Sequence, residues 1–231
     1  MPSRTSAMSP GASLGWLPYV LPFALYCLFL VGKPYLPFTP DIEYLIRIVV
    51  VGAAIAFISR NVFQFKPLHW GPSIGLGIVI FAIWIGPDLL FPGYRDSILF
   101  TNPLLGKPES TMPLELRTDV WFLVLRCIGT ALIVPIAEEL FWRGWLIRVL
   151  VDRNFEAVPI GKVDRFAFWT VALLFATEHG PYWDVGLIAG ILFNIWLVRT
   201  RCLSDCIVAH AVANALLAAY VIQRGQWQFW L

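Results

Sequence analysis

The chain has 231 residues, of which 58% are hydrophobic and only 14% charged. A soluble domain carries about 45–50% apolar and about 25% charged residues, so this composition excludes an ordinary water-soluble protein and indicates a polytopic membrane protein. The formal net charge of +2 offers no basic face for nucleic acid, and the length suits one membrane domain with no separate soluble one.

In chain order, residues 1–13 are rich in Ser, Pro and Gly and read as a disordered N-terminus. Residues 14–118 hold three apolar spans, Leu14 to Val31, Ile42 to Ile58 and Ser73 to Leu90, with their connecting loops. The first has no small-residue cleavage site and reads as a retained span rather than a signal peptide. Phe91 to Thr118 is a long polar stretch that separates this generic front half from a more informative back half. Asp119 to about Leu150 would be some ~45 Å long as one helix at ~1.5 Å per residue, longer than a bilayer core of ~30 Å. It is therefore one long kinked helix, with Pro135 as the natural kink, or a span followed by a shorter helix. A charged loop from Val151 to Arg165 leads to a short span, Phe166 to Thr177, then Val185 to Val198 and Leu203 to Ile222. The end of the chain, residues 223–231, carries Trp227, Phe229 and Trp230 and suits an interfacial aromatic tail. The expected fold is an all-α polytopic transmembrane bundle of seven or eight helices.

Inside the long back-half segment sits Ala137-Glu138-Glu139-Leu140-Phe141-Trp142-Arg143-Gly144. A charged side chain in hydrocarbon costs at least about 2.5–3.5 kcal/mol on insertion scales, so such groups mark function by default. On a helix Glu139 and Arg143 are i and i+4, acid first, the favourable order for an ion pair. Glu138 is turned about 100° away and is the carboxylate left over, a group suited to general acid or base work. Two further spans bring polar groups: His179 after Phe175, and His210 with Asn214, which are i and i+4 on one face. A carboxylate with an imidazole can hold and deprotonate a water, and a second imidazole with a carboxamide can donate to an oxyanion. Glu138, His179 and His210 are also a possible zinc ligand set, and a structural network knitting the helices is the bland reading. Cys202, Cys206 and His210 share a helical face, but the outer two are two turns apart. Those cysteines, with Cys27 and Cys127, lie in apolar sequence, where a thiol behaves as a small hydrophobe. Counting depth along the helices leaves His179 and His210 roughly 10 Å apart along the membrane normal.

The ordered set Glu138-Glu139-x-x-x-Arg143, Phe175-x-x-x-His179 and His210-x-x-x-Asn214 resembles the three-motif signature of the CPBP family, the type II CAAX prenyl endopeptidases and their bacterial intramembrane relatives. The likeness covers about residues 119–222, and the back half with its Trp-rich tail is similar to exosortase-associated members. The resemblance implies an α-helical intramembrane endopeptidase in which Glu138 is the general base, His179 helps hold the water, His210 and Asn214 stabilise the oxyanion, and Glu139, Arg143 and Phe175 support them. It implies either no cofactor or zinc, and it includes non-catalytic immunity or partner proteins as the alternative. The substrate it implies is a peptide or lipidated protein met at the membrane, delivered laterally or from the cytoplasmic side. The expected location is a bacterial plasma membrane, with the loops carrying Arg153, Lys162, Arg165, Arg199 and Arg201 cytoplasmic. Phe141, Trp142, Phe168, Trp169 and Phe175 read first as ordinary lipid-facing or packing groups, and walls for an acyl or prenyl chain are the second reading.

Overall fold

Seven helices make up the fold in the computed structural model, which describes residues 15–230; the expected disordered N-terminus lies outside the described residues. They are α1 (Leu17–Gly32), α2 (Pro40–Ala53), α3 (Trp70–Leu90), α4 (Val120–Val151), α5 (Arg165–Thr177), α6 (Trp183–Thr200) and α7 (Leu203–Arg224). Five segments, α1, α3, α4, α6 and α7 with their flanks, are long and apolar enough to cross a membrane. The chain is thus a multi-pass, all-α protein. The expected second span is a 14-residue helix continued by a π turn at Ala54–Ile58, and it buries an ion pair, Arg47 with Glu43 at 3.4 Å. α5 is apolar but only 13 residues long, about 20 Å at ~1.5 Å per residue.

Local chemistry sets the boundaries. Asp119 and Asp164 cap α4 and α5 by accepting from the backbone N–H of Phe122 (3.1 Å) and Ala167 (2.8 Å). Gly225 ends α7 in the left-handed conformation that glycine adopts without cost.

The long segment is one helix rather than two. It is α-helical at Val120–Ile128, Val134–Glu139 and Ile147–Val151, with π-helical turns at Gly129–Ile133 and Leu140–Leu146. The first π turn lies directly before Pro135, whose missing N–H and bulky ring cannot continue regular α bonding to the preceding turn. The carbonyl of Thr130 is left over there, and Asn214 Nδ2 donates to it at 3.0 Å. The second π turn holds Arg143.

Close packing relies on small residues. α3 lies against α7 where a side chain on Gly77 would come within 2.7 Å of Val212 Cβ. α5 lies against α6 where one on Gly190 would come within 3.2 Å of the Ala172 carbonyl oxygen and of Phe175 Cδ1. α1 seals one side of α4, with Phe23 against Phe141 at 4.7 Å between ring centroids. The tail turns inward: Phe229 and Trp230 are buried, Tyr182 donates to the Gln228 carbonyl and Ser110 to that of Trp230.

Candidate active site

Glu138 and Glu139 point in different directions from one helical turn, as their 100° separation dictates. Glu139 is fully buried and its Oε1 accepts from Arg143 Nη1 at 3.1 Å and from His210 Nδ1 at 3.0 Å. Arg143, also fully buried, spreads its remaining donors over Asn194 Oδ1 (3.2 Å) and the Gly190 carbonyl (3.4 Å), and its guanidinium lies 4.5 Å from the Phe175 ring centroid. Asn194 in turn donates to the Phe168 carbonyl at 2.9 Å. Every element of the back half except the tail is tied into this one junction.

Glu138 faces the other way, into a cavity of about 390 Å³ that His179, His210 and Asn214 also line. Its Oε2 is buried, makes no hydrogen bond and stands 3.9 Å from His210 Nε2. His179 folds back along its own helix. Its Nδ1–H donates to the Phe175 carbonyl at 2.7 Å, and the rings of His179 and His210 lie 4.8 and 6.1 Å from that of Phe175. Phe175 is therefore the spacer between the two imidazoles.

These bonds assign the proton on each neutral ring. A carbonyl and an ion-paired carboxylate only accept, so both imidazoles donate from Nδ1 and leave the Nε2 lone pair for other partners. Asn214 uses one amide hydrogen on Thr130 and keeps a second.

Among the described residues, no group of three or more His, Cys, Asp or Glu side chains is arranged to hold a metal ion. The alternative set of Glu138, His179 and His210 is thus not gathered into a coordination shell. The Cys202–Cys206–His210 face is also spent: the thiols donate to the carbonyls of Lys66 and Phe193, and His210 is on Glu139.

The front half matters more than its sequence indicated. Trp84 of α3 packs on His179 at 5.1 Å between ring centroids, and Tyr26 and Cys27 of α1 line the cavity. Of the five aromatics weighed as walls only Phe175 lines it; the other aromatic rings come from Phe23, Tyr26, Phe81, Trp84, Tyr182, Phe193, Phe229 and Trp230. Asn194 was legible as a lone carboxamide inside the apolar run of α6. Glu178, which also lines the cavity, stood beside His179 in plain view.

Fold and site together define a multi-pass helical membrane protein built around a cavity furnished with two carboxylates, two imidazoles and a carboxamide. Residues 120–216 match the family model described as type II CAAX prenyl endopeptidase Rce1-like, and this segment is a domain of that CPBP family. No curated protein and no solved structure matches the chain.

Proposed function

We propose that this protein is an intramembrane endopeptidase that cleaves a membrane-associated protein or peptide by means of a water activated at Glu138. The observation that carries the reading is the unpartnered, buried Glu138 Oε2 facing the same cavity as His179, His210 and Asn214. A buried carboxylate oxygen without a donor is costly unless a ligand or water completes it. The family domain over residues 120–216 supports a peptidase.

In this mechanism Glu138 takes a proton from water while His179 Nε2 accepts the water's other hydrogen and holds it in place. The hydroxide attacks the peptide carbonyl carbon. The oxyanion accepts the remaining Asn214 amide hydrogen, and His210 joins as donor from Nε2 when its ring carries both protons. As the C–N bond breaks, the proton held by Glu138 passes to the amine nitrogen. Glu139 and Arg143 do not touch the reacting atoms; they hold His210 in one orientation.

Comparative proteomics of membrane-protein termini in cells carrying wild type or Glu138→Gln tests this. A new terminus present only with wild type is expected and would name the substrate. The amide is isosteric, so the variant is expected to stay folded while its cleavage is abolished. Identical termini in both cells, or a Glu138→Gln protein that unfolds, would replace the protease by a non-catalytic membrane partner protein of the same fold.

A further inference from the structure

The long loop between α3 and α4 lies outside the matched family segment, yet it is built onto the turn that carries His179. Arg95 is its anchor. Its side chain is 3% exposed and Nη1 donates to the Pro181 carbonyl at 2.6 Å and to Asp184 Oδ1 at 2.9 Å, while Nε donates to Asp88 at 2.9 Å. The guanidinium also lies 4.2 Å from the Tyr182 ring centroid. One planar cation therefore joins the end of α3, the start of α6 and the backbone two residues past His179. The fork geometry of arginine permits this and a lysine cannot reproduce it.

Other loop atoms seat on the same turn. Trp183 Nε1 donates to the Leu99 carbonyl at 2.9 Å, and Leu105 lines the cavity. A side chain on Gly180 would come within 2.9 Å of the Leu105 carbonyl oxygen, and Gly180 has φ +52°, so glycine is required there twice over. His179 itself sits in the turn between α5 and α6, where its N–H donates to the Ala176 carbonyl at 3.1 Å and its carbonyl accepts from the Tyr182 N–H at 3.0 Å, so its place depends on how this turn is held.

The geometry points to Arg95 as a positioning residue for His179, with the α3–α4 loop as the clamp that holds the His179–Tyr182 turn against the cavity. This deepens the peptidase reading and rests on it for its consequence in catalysis, but the clamp is measurable without turnover.

The chain's three histidines give three reporters. Carbethoxylation by diethylpyrocarbonate is followed residue by residue by mass spectrometry on the purified full-length protein in detergent, in the Glu138→Gln background. With Arg95→Ala, His179 is expected to react at least about 5-fold faster, while half-exposed His69 and buried His210 keep their rates. Arg95→Lys should fall between, since an ammonium can satisfy some but not all three partners. With active protein and the substrate found by the terminal comparison, Arg95→Ala should lower kcat about 100-fold with little change in KM, the size expected for a misplacement of about 1 Å. An unchanged His179 rate, or an equal acceleration at His210, would overturn the clamp whether or not the protein is a peptidase. A faster His179 with no cleavage even in wild type would leave the clamp standing and remove the hydrolytic reading.

Discussion

At the scale of single residues, the site depends on one buried ion pair that also disciplines a histidine. Glu139 is completed by Arg143 and His210, and Arg143 by Glu139, Asn194 and the Gly190 carbonyl. Removing one partner of a buried pair strands the other charge, which costs about 3–5 kcal/mol. Arg143→Ala is therefore expected to lower stability by roughly that much, read as a fall in Tm of the purified protein. Arg143→Lys keeps the charge but not the planar set of donors, and should fall between wild type and Arg143→Ala. Asn194→Ala leaves the Arg143 Nε and the Phe168 carbonyl without their bonds and should cost about 1–3 kcal/mol. Glu138→Gln is the contrasting case, because its Oε2 makes no hydrogen bond in the resting fold. A Tm close to wild type for Glu138→Gln beside a large fall for Arg143→Ala would separate the working group from its scaffold. Equal losses for both would make Glu138 part of the scaffold.

At the scale of helices, small residues decide which segments can meet. Gly77 lets α3 lie on α7 at the turn before His210, and its neighbours there are the Ala209 backbone and Val212. A branched side chain has no room beside backbone atoms, so Gly77→Val should cost about 1–3 kcal/mol or more and shift α7. Gly71→Val is the control, because nothing stands within 4 Å of a side chain at that position. A Tm for Gly77→Val equal to that of Gly71→Val would remove the argument. These contacts also explain what was legible in the sequence and what was not. A count of seven or eight helices and most boundaries followed from apolar runs and from Pro, Gly and Asp at their ends, while the choice of one helix over two for Val120–Val151 did not. The Glu139–Arg143 pair followed from spacing alone, since i and i+4 is a local relation. Which helix completes Arg143, and whether Phe168 or Phe193 faces the cavity, depends on relative rotation and tilt. No period in the sequence encodes those, so packing and lining could not be told apart for Phe141, Trp142, Phe168 and Trp169, which do not line the cavity. The inward fold of the tail was hidden for the same reason: Trp227, Phe229 and Trp230 suit lipid headgroups and a protein interior equally well.

At the scale of the whole molecule, the path of the helices sorts the loops onto two faces. The α2–α3 loop meets the start of α7, where Asp205 accepts from the backbone N–H of Leu68 and His69. The α4–α5 and α6–α7 connections lie on that same face, which gathers Arg60, Lys66, Arg153, Lys162, Arg165, Arg199 and Arg201. The opposite face holds the α1–α2 turn, the α3–α4 loop and the tail, with Lys33, Arg95, Lys107, Arg117 and Arg224. The first face carries seven of these cations against five on the second, and the positive-inside rule predicts that the first face is the cytoplasmic one. The cavity belongs to the other side: Leu30 near the end of α1, Trp84 in the second half of α3, Leu105 of the loop, and Phe229 and Trp230 of the tail all line it. A substrate expected from the cytoplasm would then meet the site from the outer face or laterally from the outer half of the bilayer. Single cysteines at Lys107 and Lys162, placed in a protein stripped of its native thiols, decide this. In intact cells Lys107→Cys should react with a membrane-impermeant maleimide and Lys162→Cys should react only after permeabilisation. The reverse pattern would place the cavity mouth in the cytoplasm and return the substrate to that side.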